Sequence, residues 1–191
     1  MSLVRLSPPA DDGIVPETTP NPDTLRFALD RTLTAGGGKD FPHPMDADGS
    51  PLAGRLFALE GVAALYVGRD FVTVTKTEGL DWNERMVEAI KAAIREHLAS
   101  GDPAITGPLS SHAAAGGSVE TRIQRILDEE IRPAVAMDGG DVVFISFHDG
   151  VVELHLQGSC SGCPSSLMTL KMGIEQRLRE EIPEVEEVVA I

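Results

Sequence analysis

Apolar positions along the chain fall into two patterned blocks, separated by a stretch that sustains no period. In the second block Val119, Ile123, Ile126, Leu127 and Ile131 recur at helical spacing. This predicts a helix capped by Ser118, with Pro133 forcing the chain to change course. Asp138-Gly139-Gly140-Asp141 follows, and its glycines suit a turn that needs positive φ. Val142 to Phe147 is a β-prone run, His148-Asp149-Gly150 signals a tight turn, and Val151 to Gln157 sets Val152, Leu154 and Leu156 on one face, so a hairpin is expected. Beyond the loop from Gly158 to Cys163, Pro164 suits the first turn of a helix whose buried stripe is Leu167, Leu170, Ile174 and Leu178. Pro183 stops that helix, and Val185 to Ile191 reads as a closing strand, giving the order αββαβ.

The first block is less regular. Thr24 to Leu29 and the pair Val62 to Val67 and Phe71 to Thr75 read as strands, the pair turning at Gly68-Arg69-Asp70. Gly36-Gly37-Gly38 interrupts the pattern, and Leu52, Leu56 and Leu59 fit a short helix within Asp48 to Leu59. From Asp81 the spacing becomes helical, with Trp82, Met86, Val87, Ile90, Ile94 and Leu98 on one face, Trp82 read as core, and Asp81 with Glu84 as a capping-box-like pair. Residues 101–117, GDPAITGPLSSHAAAGG, have the composition of a linker. The chain is therefore expected to be α+β, two small α+β domains joined by a flexible linker. Residues 1–17 form an N-terminal extension, 18–100 the first domain, 101–117 the linker and 118–191 the second domain, with no internal repeat between the two.

Composition narrows the function. With 191 residues, 42% of them hydrophobic, the chain can bury an ordinary core. A net charge of -14 and an aromatic content of 4% exclude nucleic acid as an expected partner, since phosphates would be repelled and bases would find few stacking platforms. No apolar run reaches eighteen residues, so no membrane-spanning helix is expected and the protein should be soluble. Met1 to Gly13 has one Arg5 followed by Asp11 and Asp12, neither a signal peptide nor a basic transit sequence. A bacterial cytoplasm is the default expectation, with a matured organellar protein as the other.

Both cysteines lie in one Cys-x-x-Cys, Cys160 and Cys163, between the hairpin and the following helix. A helix N-terminus carries unpaired N–H groups and partial positive charge, which favour thiolates and hydrogen-bond bound sulfur, so both cysteines are expected to be poised as thiolates. By residues alone the pair serves an iron-sulfur cluster, zinc or a redox dithiol. A cluster takes four thiolates and one chain supplies two, so two chains about a two-fold axis would complete the set. Structural zinc wants four ligands in one chain, and a thioredoxin-like dithiol would follow the first strand of a βαβ unit rather than a hairpin. His148 reads as a turn residue and His155 as a strand residue rather than as ligands. Asp138 and Asp141 read as turn and cap residues. Lys171 reads equally as a solvated residue or one that receives a partner, and Glu180, Glu181, Glu184, Glu186 and Glu187 as a solvated acidic face.

The combination of Met137-Asp138-Gly139-Gly140-Asp141, Leu156-Gln157-Gly158-Ser159-Cys160-Ser161-Gly162-Cys163-Pro164-Ser165-Ser166 and Thr169 to Glu175 closely resembles the C-terminal domain of NifU and of the Nfu iron-sulfur scaffold family. Thr19-Pro20-Asn21-Pro22-Asp23-Thr24-Leu25-Arg26-Phe27 resembles the N-terminal domain that precedes it in Nfu proteins. The resemblance implies a non-enzymatic scaffold and carrier. It implies that Cys160 and Cys163 bind a labile [4Fe-4S] cluster bridged between two chains of a homodimer. The cluster would come from upstream assembly machinery and pass to apo iron-sulfur proteins. The alternative kept beside it is a thiol-disulfide oxidoreductase using the same pair, with Cys160 as the more exposed nucleophile.

Overall fold

The computed structural model describes residues 13–35, 37–106, 118–160 and 164–191. Residues 1–12, Gly36, most of the expected linker (107–117) and Ser161 to Cys163 lie outside the described residues. The chain divides into two compact units, Met1–Leu109 and Ser110–Ile191, each mixing helices and strands.

In the first unit β1 (Ile14–Thr18), β2 (Thr24–Leu29), β3 (Lys39–Phe41), β4 (Val62–Val67) and β5 (Phe71–Lys76) form one antiparallel sheet in the order β1-β2-β5-β4-β3, with α1 (Pro51–Phe57) and α2 (Glu84–Ser100) completing the unit. Alternation explains the layering. The register aligns Leu25 with Val74 and Phe27 with Val72 across β2 and β5, and Leu65 with Val74 across β4 and β5. This row packs in one core with Leu52 and Leu56 of α1 and Val87, Ile90 and Ile94 of α2. On the other face the Arg26 guanidinium stacks 4.6 Å from the centre of the Phe71 ring and pairs with Glu17.

Three sequence expectations change here. The first strand starts at Ile14, inside the segment read as an N-terminal extension; it is an edge strand, where Pro16 is tolerated and strand pattern is weak. Asn83, not Asp81, caps α2, its side chain accepting from the Met86 N–H at 3.0 Å; Trp82 precedes the helix, is only partly buried and donates Nε1–H to the Pro22 carbonyl. Residues 102–106, read as linker, fold back on this unit: Ala104 is buried, the Ser50 hydroxyl donates to its carbonyl at 2.6 Å, and the Thr106 N–H donates to the Gly49 carbonyl.

Toward the end of α2, His97 is buried, and burial together with the nearby Arg55 charge lowers its pKa. The unfolded chain takes up that proton near the ordinary value of about 6.5, while the folded chain resists it. Stability from His97 is therefore full above about 6.5 and is lost as pH falls from there through the lower folded value. Thermal melts followed by fluorescence of Trp82, the single tryptophan, should show a midpoint that falls between pH 7 and pH 5 and a shallower fall in His97→Gln; equal slopes would refute the assignment.

In the second unit, α3 (Ser118–Ile126) continues through a π-helical turn (Leu127–Ile131) into α4 (Arg132–Met137), then β6 (Gly140–His148), β7 (Val151–Gly158), α5 (Pro164–Glu181) and β8 (Glu187–Ala190). Pro133 does not end the helical path. The widened turn, closed by the Arg132 N–H on the Leu127 carbonyl, carries the chain past a residue that has no N–H for an α-helical ladder. β6 and β7 make the expected hairpin, turning through Asp149 (φ 49°) and Gly150 (φ 81°), the positive pair a type I′ turn requires. β8 adds parallel to β7 after α5, giving the order β6-β7-β8. Val142, Val152, Leu154, Leu156 and Val188 of the sheet share a core with Ile123, Ile126, Leu127, Val135, Ile174 and Leu178 of the helices. No helix among the described residues is long and apolar enough to cross a membrane.

Candidate functional site at the end of the hairpin

The last residue of β7 is Gly158, at φ 68°, a left-handed backbone that turns the chain out of the sheet. The next two residues are tied to the turn that opens the hairpin. The Ser159 N–H donates to the Gly139 carbonyl at 3.2 Å and its hydroxyl donates to the Asp138 carbonyl. Cys160 follows. Only 7% exposed, it packs as part of the hydrophobic core of this unit, with its Sγ 3.8 Å from the Ser159 Oγ. Gly140, the first residue of β6, lies directly against it: a Cβ at position 140 would sit 2.5 Å from the Cys160 Sγ and 2.8 Å from the Gln157 carbonyl oxygen.

This arrangement corrects two expectations for Cys160. It sits four positions ahead of Pro164, the first residue of α5, with its side chain in the core. Burial raises its pKa; the Ser159 hydrogen bond opposes the shift, and the negative charges of Asp138 and Asp141 add to it. The thiol form is therefore the stable one here, and Cys160 is not an exposed nucleophile. Cys163 lies outside the described residues.

Asp141 and Arg132 were not recognisable from the sequence as a pair. Asp141 is 5% exposed, and its carboxylate accepts from Arg132 Nε at 2.8 Å and from the second guanidinium arm at 3.1 Å, while Oδ1 also accepts from the Val142 N–H. Arg132 reaches Asp128 as well, at 3.0 Å. This fork ties α4 to the first residues of β6 and so holds the Gly139-Gly140 turn on which Cys160 rests. Asp138 contributes its carbonyl to Ser159, which agrees with a turn role.

The remaining residues fall elsewhere. His148 ends β6 in solvent, and His155 on β7 has Nδ1 2.9 Å from the Ile191 carbonyl oxygen. Among the described residues no group of three or more His, Cys, Asp or Glu is placed to hold a metal ion. Lys171 pairs with Glu187 at 3.8 Å. The acidic face is largely ion-paired rather than simply solvated: Glu181 meets Arg177 at 3.0 Å, Glu180 meets it at 3.6 Å, and Glu184 meets Arg122 at 3.4 Å. Met168 and Met172 on α5, each 66% exposed, were not singled out by sequence; they line an open groove of about 700 Å³ with Leu167 and Val189.

The fold and this turn define a protein of two small α+β units, the second carrying a cysteine turn between a hairpin and a helix. Two family models match: "Scaffold protein Nfu/NifU N terminal" over residues 14–101 and "NifU-like domain" over residues 123–189. A human protein named "NFU1 iron-sulfur cluster scaffold homolog, mitochondrial" is 46% identical over 176 residues, covering 90% of this chain and 69% of its own length. Proteins of the same name from Drosophila ananassae and Drosophila simulans are 42% and 44% identical, covering 97% and 90% of this chain and 66% and 62% of their own lengths. The chain thus spans about two thirds of these relatives. A solution structure of a NifU-like protein from Saccharomyces cerevisiae aligns with a TM-score of 0.43 at 23% identity, over 56% of this chain and 97% of that one. The chain belongs to the Nfu/NifU scaffold-protein family.

The expectation of a bacterial cytoplasm is overturned, because relatives at 42–46% identity are named as mitochondrial. That expectation rested on the first thirteen residues, and a removable targeting segment leaves no trace in the folded domains.

Proposed function

We propose that this chain is a non-enzymatic iron-sulfur cluster scaffold and carrier. Cys160 and Cys163 bind a labile [4Fe-4S] cluster, the same pair from a second copy completes the four thiolates, and the cluster passes to apo iron-sulfur proteins. Upstream assembly machinery is the donor. The domains are 18–100 extended by β1 and by the returning residues 102–106, a supporting unit, and 118–191, the cluster-binding unit. The observation that carries this reading is a chain with only two cysteines, both at the β7–α5 turn, in a member of a family whose relatives are named as cluster scaffolds. Ligation shared between two chains suits release better than four ligands within one core. Met168 and Met172, exposed on α5, supply adaptable apolar surface for contact with the second copy.

A thiol-disulfide oxidoreductase needs an accessible, low-pKa attacking thiol, and the buried, raised-pKa Cys160 argues against it. Anaerobic reconstitution with iron and sulfide, read by Mössbauer spectroscopy and native mass, tests the proposal. The expected result is a [4Fe-4S] signal with two chains per cluster. A protein that takes up no iron and sulfide would overturn it, as would a colourless dimer holding zinc alone.

A further inference from the structure

Gly140 pairs with Gly158 across the β6–β7 ladder, at the point where the chain leaves β7 for Cys160. What excludes a side chain here is the thiol, 2.5 Å from where a Cβ would stand, together with the Gln157 carbonyl at 2.8 Å. A real Cβ does not tolerate such distances, so the missing side chain leaves the space into which the sulfur turns. The rest of the seat is built from the same turn: Ser159 lies against the sulfur, fixed by its bonds to Gly139 and Asp138, and the Arg132–Asp141 fork anchors the first residues of β6.

We propose that Gly140 is a positioning residue for Cys160: it creates a storage seat that holds the sulfur inside the fold of the empty protein, and the sulfur must leave this seat to bind a cluster. The inference rests on the reading of Cys160 as a ligand. A buried thiol packed within the core has no open side for iron held jointly with a second chain. Seated and ligating positions therefore compete, and the apparent cluster affinity is reduced by the fraction of chains with the sulfur turned out. The seat shelters an empty carrier's thiol and favours release of its cargo.

The test is the alkylation rate of Cys160 by iodoacetamide in the full-length, metal-free protein, located by peptide mass, with Cys163 as internal reference. In the folded wild type Cys160 should label at least about tenfold more slowly than in the urea-unfolded chain, and Gly140→Ala should raise the folded-state rate about tenfold by crowding the seat. At equilibrium with a competing iron chelator, the apparent cluster affinity of Gly140→Ala should rise by at least the same factor. If Gly140→Ala fails to fold, Ser159→Ala, which loosens one wall, should raise the rate in the same direction. An unprotected wild-type Cys160 would overturn the seat. So would a Gly140→Ala protein that is folded and labels at the wild-type rate, or one that labels faster yet binds its cluster more weakly, since the seated position would then be the ligating one. A wild type that binds no cluster would instead overturn the carrier reading, and the labelling rates would still decide whether the seat exists.

Discussion

Arg132→Ala should destabilise the second unit by about 2–4 kcal/mol, the larger of the two stability effects expected for this chain. The reason is asymmetry. Asp141 is 5% exposed and its carboxylate is gripped by two guanidinium nitrogens; removing the cation leaves a buried negative charge without its paired counter-charge, the Val142 N–H still donating to Oδ1. Because the Arg132 side chain is itself 22% exposed, water can reach part of the gap, which places the estimate below the full cost of breaking a wholly buried pair. For a unit of this size the loss corresponds to a fall in melting temperature of about 10 °C or more. Arg132→Lys keeps the charge but not the planar fork and should recover only part of the loss. Amide exchange of β6 and β7 would report the second unit, with Trp82 fluorescence as the report from the first. A change below about 0.5 kcal/mol, the range of ordinary surface substitutions, would show that the fork does not hold the turn.

Cys160→Ala should reduce reconstituted iron and sulfide to background, because two remaining thiolates in a two-chain assembly cannot satisfy a cluster that takes four. It should also cost stability. Cys160 packs in the same core as Leu156 and Ile174, so losing its sulfur leaves a small void worth about 1–2 kcal/mol. The sequence alone suggests a loop cysteine whose loss leaves the fold untouched; the buried thiol replaces that view. Denaturant unfolding of the metal-free protein separates the two effects. Unchanged stability with lost cluster would mean that the thiol does not pack as observed, whereas retained cluster would remove Cys160 from the ligand set.

Much of the fold was legible because short-range patterns decided it. The alternation of Val152, Leu154 and Leu156, the His148-Asp149-Gly150 turn and the helical stripe ending in Ile174 and Leu178 all describe elements whose buried faces the structure confirms. Elements at the margins were not legible. β1 contains Pro16 and β3 is three residues long, so neither has enough alternating positions to stand out, and both exist because a neighbouring strand supplies their partners. Pro133 looked like a terminator because a proline breaks an α-helical ladder; a π turn, which depends on how α3 and α4 pack, let the helix pass.

The sequence by itself determined the family, the αββαβ order of the second unit and the location of the only two cysteines, since each depends on residue identity and near-neighbour spacing. Tertiary structure decided the state of Cys160. Its burial comes from Gly140, twenty positions away, and its raised pKa from desolvation together with Asp138 and Asp141, brought close by the hairpin. The Arg132–Asp141 fork was likewise invisible, because nothing in a sequence says which of many charges will be folded into the same dry space. Hydrogen-bond geometry and desolvation act through distance in space, and only the pairing of β6 with β7 set those distances.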